Sequence, residues 1–200
     1  MPTSLPEITA SADVSAVRYD FKASLLGAAH HFELTADGLA WDVAGRTGLW
    51  CYGDISAIRL SYRPVSMQAR RFRADLRHGG GGHISILSTS WQTVALMAPQ
   101  DQAYRQFIVA LHARMAHAGS RASLNGGLGR GAYAAAVALM TLVGLAMTGL
   151  LIRSVATGQF AGALFVVGFA ALFAWQVGGF ILRNRPLAYG FDHLPQALLP

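Results

Sequence analysis

Six arginines fall between positions 59 and 77: Arg59, Arg63, Arg70, Arg71, Arg73 and Arg77. A guanidinium is always charged and offers a planar fork of donors that matches phosphate and carboxylate. The group is therefore the candidate site for an anionic lipid or a protein partner. Near an anionic leaflet each basic side chain contributes ~1 kcal/mol of attraction. The alternative role is a solvated polar face, paired in part to Asp54 and Asp75.

Other residue types that could do chemistry lack the company it needs. His30, His31, His78 and His83 could meet only at hairpin tips, and no carboxylate or cysteine stands beside them in sequence to complete a metal shell. His112 and His117 are five apart, so on a helix they face different ways. The stretch Gly127-Leu128-Gly129-Arg130-Gly131-Ala132 fits G-x-G-x-x-A, but no strand precedes it and no acidic residue follows at the dinucleotide-binding distance. Gly79 to Gly82 lacks the Lys-Ser/Thr of a phosphate loop and reads as a mobile tip. Cys51 is the single cysteine, which excludes an intramolecular disulfide and a thiolate cluster, and it is expected in the core. No nucleophile-elbow or zinc-protease pattern occurs. No catalytic, cofactor-binding or metal-ligating residue is assigned, and a non-enzymatic chain without a cofactor is expected.

The elements that would position the arginines come in two kinds. Positions 1–15 are small and polar with Pro2 and Pro6, and are expected to be a disordered arm. From 16 onward apolar and polar residues alternate with period two: Val17, Tyr19 and Phe21; Phe32 and Leu34; then, past a turn at Ala36-Asp37-Gly38, Leu39, Trp41 and Val43. A second turn at Gly45–Gly48 leads to a strand from Leu49, and Ile55 to Tyr62 reads as strand until Pro64. Strands at 71–77, 83–87 and 93–97 complete about seven, the pattern of an antiparallel sandwich or open barrel. Asp101 is an expected N-cap, and Tyr104, Phe107, Ile108, Leu111 and Met115 form the apolar stripe of one helix.

This order, with Tyr52-Gly53-Asp54-Ile55-Ser56-Ala57-Ile58-Arg59-Leu60 and the helix opening Tyr104-Arg105-Gln106-Phe107, resembles the bacterial pleckstrin-homology-like domains. The resemblance covers roughly 16–117. It implies an all-β PH-like sandwich of about seven strands capped by one carboxy-terminal α-helix, with a binding or assembly role, and it names no ligand.

Two uncharged apolar runs, 131–152 and 160–182, then dominate the chain. At ~1.5 Å per residue each reaches roughly 33 Å, enough to cross a hydrocarbon core of ~30 Å. The expected organisation is a domain at 16–118, a flexible Gly/Ser linker at 119–130, transmembrane helices at 131–152 and 160–182 joined by an external loop at 153–159, and a tail at 183–200 lying at the interface or against the domain. Arg121 and Arg130 precede the spans and Arg183 and Arg185 follow, against Arg153 between them, so both termini are expected in the cytoplasm. Positions 1–12 lack a basic patch followed by an apolar core, so no cleavable signal peptide is expected. Arg in place of Lys, with Lys22 alone, suggests a GC-rich bacterial genome and hence the bacterial inner membrane.

Small residues recur every fourth position in the spans. Ala136, Gly144, Gly158, Gly162, Ala170, Ala174 and Gly178 are the helix-packing candidates, serving the hairpin itself first and a homo-oligomer with whatever surface remains. The net charge of +6 could suit nucleic acid, but membrane topology explains the arginines and no nucleic-acid partner is expected. The expected function is a membrane-anchored binding or assembly module. The alternative is an accessory subunit of a transport or envelope-assembly complex that uses the hairpin as its partner surface.

Overall fold

The computed structural model describes residues 17–24, 26–63, 70–93 and 96–200, with Leu96 described by its backbone alone. The arm expected at 1–15 and the strand-ending Pro64 lie outside the described residues. Among those described, eleven strands form three sheets and are accompanied by three long helices.

The first sheet is an antiparallel meander of β1 (Val17–Phe21), β2 (His30–Leu34), β3 (Gly38–Val43) and β4 (Arg46–Cys51). Alternation sends Tyr19, Phe21, Phe32, Leu34, Leu39 and Trp50 inward. The β3–β4 turn is tighter than expected. Val43 pairs with Arg46, so Ala44 and Gly45 alone form the loop, at φ of 54° and 76°. Positive φ at both central residues is the twist-matched two-residue hairpin turn. Gly48 is therefore strand, and its missing side chain leaves room for the Trp41 ring.

The second sheet contains β5 (Ile55–Tyr62), β6 (Phe72–His78) and β7 (His83–Leu87), and β8 (Thr89–Thr93) and β9 (Leu96–Pro99) form a separate hairpin. The glycine tip after β6 is closed by backbone hydrogen bonds from His78 to Gly82 and from Gly81 to His78. Helix α1 (Asp101–His117) covers the core with the expected stripe, and Tyr104, Phe107, Ile108, Leu111 and Met115 are all buried. Asp101 is not its N-cap. Gln100 holds that position without a side-chain cap, and Asp101 instead places its charge in the first turn, where the helix dipole favours an anion.

The linker expectation is corrected by β10 (Ser123–Gly126), which pairs in parallel with β5. Gly127 follows at φ 77°. Its N–H donates to Leu60 O, and a side chain there would run into the carbonyls of Asn184 and Arg185. That glycine is required for a close backbone approach, not for flexibility. Beyond the two long apolar helices that follow, β11 (Leu187–Ala188) pairs with β10, giving the sheet order β11-β10-β5-β6-β7. Leu198 and Leu199 bury themselves in the domain core, and Arg105 donates to Pro200 O and to the Gln196 side chain. The tail therefore packs against the domain.

Helix α2 (Arg130–Ala156) and helix α3 (Phe160–Arg183) are long and apolar enough to cross a membrane, and almost none of their surface is buried in the domain. Helix α2 outruns its expected end, so the connection shrinks to 157–159, with Gly158 at φ 70° closing the turn. The seam between the helices has three- and four-residue spacing: half-buried Ala136, Met140, Val143, Met147 and Leu151 face half-buried or buried Val166, Ala170, Phe173, Val177 and Ile181. One π-helical turn, Ala174–Gly178, interrupts α3. The hairpin is thus inserted between two hydrogen-bonded neighbours of the sheet, β10 and β11.

Candidate functional site

The β5–β6 register separates the six arginines. Arg59 lies opposite Asp75, Ser61 opposite Arg73 and Ala57 opposite Arg77. Arg73 is neutralised in place: Nε donates to Asp75 Oδ1 at 2.7 Å and Nη2 to Ser85 Oγ at 3.0 Å. Ser85 also donates to Asp75, at 2.6 Å, and His83 Nε2 stands 3.2 Å from the same oxygen. Asp75 is 16% exposed, so the carboxylate at the centre of this network is mostly withdrawn from solvent. Arg71 turns toward the β8–β9 hairpin, donating from Nε to Thr89 Oγ1 and from Nη2 to Met97 Sδ, both at 2.9 Å. Burial and the neighbouring Arg73 lower its pKa. These two arginines hold the sheet's outer face together.

Arg59, Arg63, Arg70 and Arg77 are exposed and make no salt bridge among the described residues. Arg77 sits at the far end of the sheet, paired with His83. Arg63 and Arg70 flank the other end, where Arg63 N–H donates to Arg71 O. That end of β5 meets the hairpin. Asn184, fully buried after α3, accepts from Tyr62 N–H at 2.9 Å and donates to Tyr62 O at 2.9 Å, while its own carbonyl accepts from Leu128 N–H. The Arg183 guanidinium lies over the Tyr62 ring, 4.8 Å from its centroid, a cation–π contact. Arg59 and Arg130 line a cleft of about 260 Å³ together with Asn125, Leu128 and Leu187. The candidate site at the hairpin base therefore comprises Arg59, Arg63 and Arg70 towards the end of β5, together with Arg130 in the cleft and Arg183 over Tyr62. The last two had been read only for topology, and Asn184 carried no signal beyond being a polar residue at a helix end.

The histidines do not converge, and no group of three metal-ligating side chains occurs among the described residues. Strand pairing supplies three of the four with a carboxylate that sequence distance hid: His31 Nδ1 to Asp20 at 2.7 Å, His83 to Asp75, and His78 to Asp54 at 4.0 Å. Burial lowers the His30 pKa, with Asp42 opposing. His112 is buried, with Nδ1–H donating to Ile108 O at 2.8 Å and Nε2 accepting from the Tyr189 hydroxyl at 3.1 Å. Desolvation lowers its pKa despite the Ile108 bond, and desolvation raises that of Tyr189. Cys51 is exposed, contrary to the core expectation, because its neighbours Trp50 and Tyr52 take the inward positions.

Of the helix-packing candidates, Ala136 and Ala170 lie in the seam, and Gly178 faces Met140. Gly162 makes room for Ser154. Gly158 belongs to the turn, and Gly144 has open space where a side chain would be. Gly144, Ala170 and Ala174 line an apolar groove of about 330 Å³ between α2 and α3. No protein-family model matches the chain, and no match was found among curated proteins or solved structures.

Proposed function

We propose that this chain is a membrane-anchored, non-catalytic binding or assembly module, a PH-like domain held at the cytoplasmic face of a bacterial inner membrane with its basic face against the anionic leaflet. The carrying observation is the junction: β10 and β11 pair across the root of the hairpin, and Asn184 fastens that root to β5. Arg59 is thereby held beside Arg130 in one cleft at the hairpin root. The two larger sheets with one covering helix support the PH-like reading. The concentration of arginine at this end, against Arg153 at the other, supports cytoplasmic termini.

The test is amide exchange of the full chain in nanodiscs of zwitterionic lipid, with or without phosphatidylglycerol. Residues 59–63 and 127–130 exchange more slowly with the anionic lipid, the difference shrinks as salt shortens the Debye length, and R63Q/R70Q reduces it. Equal exchange in both lipids refutes the proposal. A second reading, an accessory subunit that binds through its spans, is favoured by the groove at Gly144, Ala170 and Ala174. It gains if spans with that groove filled by Gly144→Leu lose a co-purifying protein while the lipid effect persists.

A further inference from the structure

We propose that the cleft between β5, the β10–β11 pair and the start of α2 is a site for the phosphate headgroup of a single anionic membrane lipid. The inference rests on the membrane-anchored reading and names the ligand of its basic face.

The cleft is built by what its walls lack as much as by what they carry. Gly126 and Gly129 contribute no side chain, and an added Cβ at Gly129 would lie 3.3 Å from Arg59 Nη1. Arg59 reaches this position because its cross-strand neighbour Asp75 is already committed to Arg73, Ser85 and His83. Arg130 and Asn125 supply further donors to the same space, and no acidic residue among those described lines it. Two guanidiniums and an amide around a small opening without a carboxylate have the chemistry of a phosphate acceptor's partners. The volume, about 260 Å³, is below the ~300–1,000 Å³ that encloses drug-sized molecules. It suits a headgroup whose tails stay outside.

Position selects a lipid over a soluble phosphate. Arg130 is the first residue of α2, whose 27 residues extend ~40 Å, longer than the ~30 Å hydrocarbon core. The first turn of α2 therefore stands in the headgroup region, with Tyr133 one turn deeper, the level favoured by interfacial aromatics. A lipid diffusing in the leaflet meets the cleft directly. The neighbouring Arg183 is engaged with Tyr62 and does not line the cleft.

The experiment is native mass spectrometry of the full chain released from nanodiscs of phosphatidylcholine containing phosphatidylglycerol, with amide exchange as a fold check. Wild type retains one phosphatidylglycerol per chain. R59Q/R130Q lowers retention about thirtyfold, the loss expected for two basic contacts at the membrane surface. R59K/R130K keeps the charges without the forked geometry and falls between the two, while R77Q, at the far end of the sheet, binds as wild type. Equal retention by wild type and R59Q/R130Q overturns the site. So does displacement of the lipid by millimolar glycerol 3-phosphate or inorganic phosphate, which would identify a soluble ligand. If retention fails while anionic lipid still slows exchange at 59–63, the cleft is refuted and the membrane-facing reading stands.

Discussion

Replacing Leu198 by alanine separates a tail that belongs to the fold from one that lies on it. Leu198 is 0% exposed, and its side chain fills the space above Gly126, where even a Cβ would come within 2.7 Å of Leu198 Cδ1. Truncation removes about three methylene equivalents, ~2.4 kcal/mol of transfer free energy, and leaves a cavity. Its floor is the β10 backbone, fixed by hydrogen bonds to β5 and β11, so the wall relaxes little. Leu→Ala changes at such sites cost ~2–5 kcal/mol, and ~3 kcal/mol is expected here, a change of roughly 150-fold in the folded-to-unfolded ratio. Urea unfolding in mild detergent, followed by the fluorescence of the paired core tryptophans Trp41 and Trp50, reads this directly. With an m-value of ~2 kcal/mol/M the midpoint falls by about 1.5 M. Leu26→Ala, at a fully exposed position, is the control and shifts nothing. A Leu198→Ala midpoint within about 0.3 M of wild type refutes the claim that residues beyond the second span complete the domain core.

Two further outcomes follow from single side chains. His112 is neutral in the fold, so its pKa lies below the unfolded value of ~6.5; the stability it contributes is present above pH ~6.5 and is lost as pH falls from there through the folded value. The melting temperature of the full chain in detergent should drop between pH 7.5 and 5, with a smaller drop in His112→Phe; equal slopes in the two proteins would show that His112 is not responsible. Cys51 is exposed and is the single cysteine of the sequence, so a membrane-impermeant maleimide should label it only after spheroplasts are opened. Labelling of intact spheroplasts would place the domain outside.

The parts of the fold legible in sequence are those whose pattern is local. Tyr19 and Phe21, or Phe72, Ala74 and Leu76, announce strands by alternation alone, the stripe from Tyr104 to Met115 announces α1, and absence of charge announces two helices long and apolar enough to cross a membrane. β10 is illegible for a physical reason. Its four residues contain one large apolar side chain, Leu124, among Ser123, Asn125 and Gly126, and what makes it a strand is a partner more than sixty positions earlier and another beyond the spans. Gly127 illustrates the same limit, since a glycine needed for positive φ and one placed for flexibility look alike until the carbonyls of Asn184 and Arg185 are seen above it. The arginines were countable but not sortable. Whether a guanidinium is free depends on which neighbour takes the carboxylate: Asp75 lies opposite Arg59 across the strands but pairs with Arg73, two residues away on its own strand, and Arg59 approaches Gly129 instead.

The inserted position of the hairpin changes what the spans can do to the domain. A flexible tether of a dozen residues would let the domain rotate and would spread its arginines over many distances from the membrane. Here only residues 127–129 separate the pairing with β5 from α2, and the chain leaves α3 through Asn184, whose amide bonds both backbone polar groups of Tyr62. The strand carrying Arg59 is therefore fixed relative to the hairpin by hydrogen bonds, and in the proposed lipid site the side chain would give up less freedom than it would on a tether. The π-helical turn at Ala174–Gly178 is the irregular point in the α3 ladder, and Asn184, one residue past the end of that helix, is bonded to the end of β5.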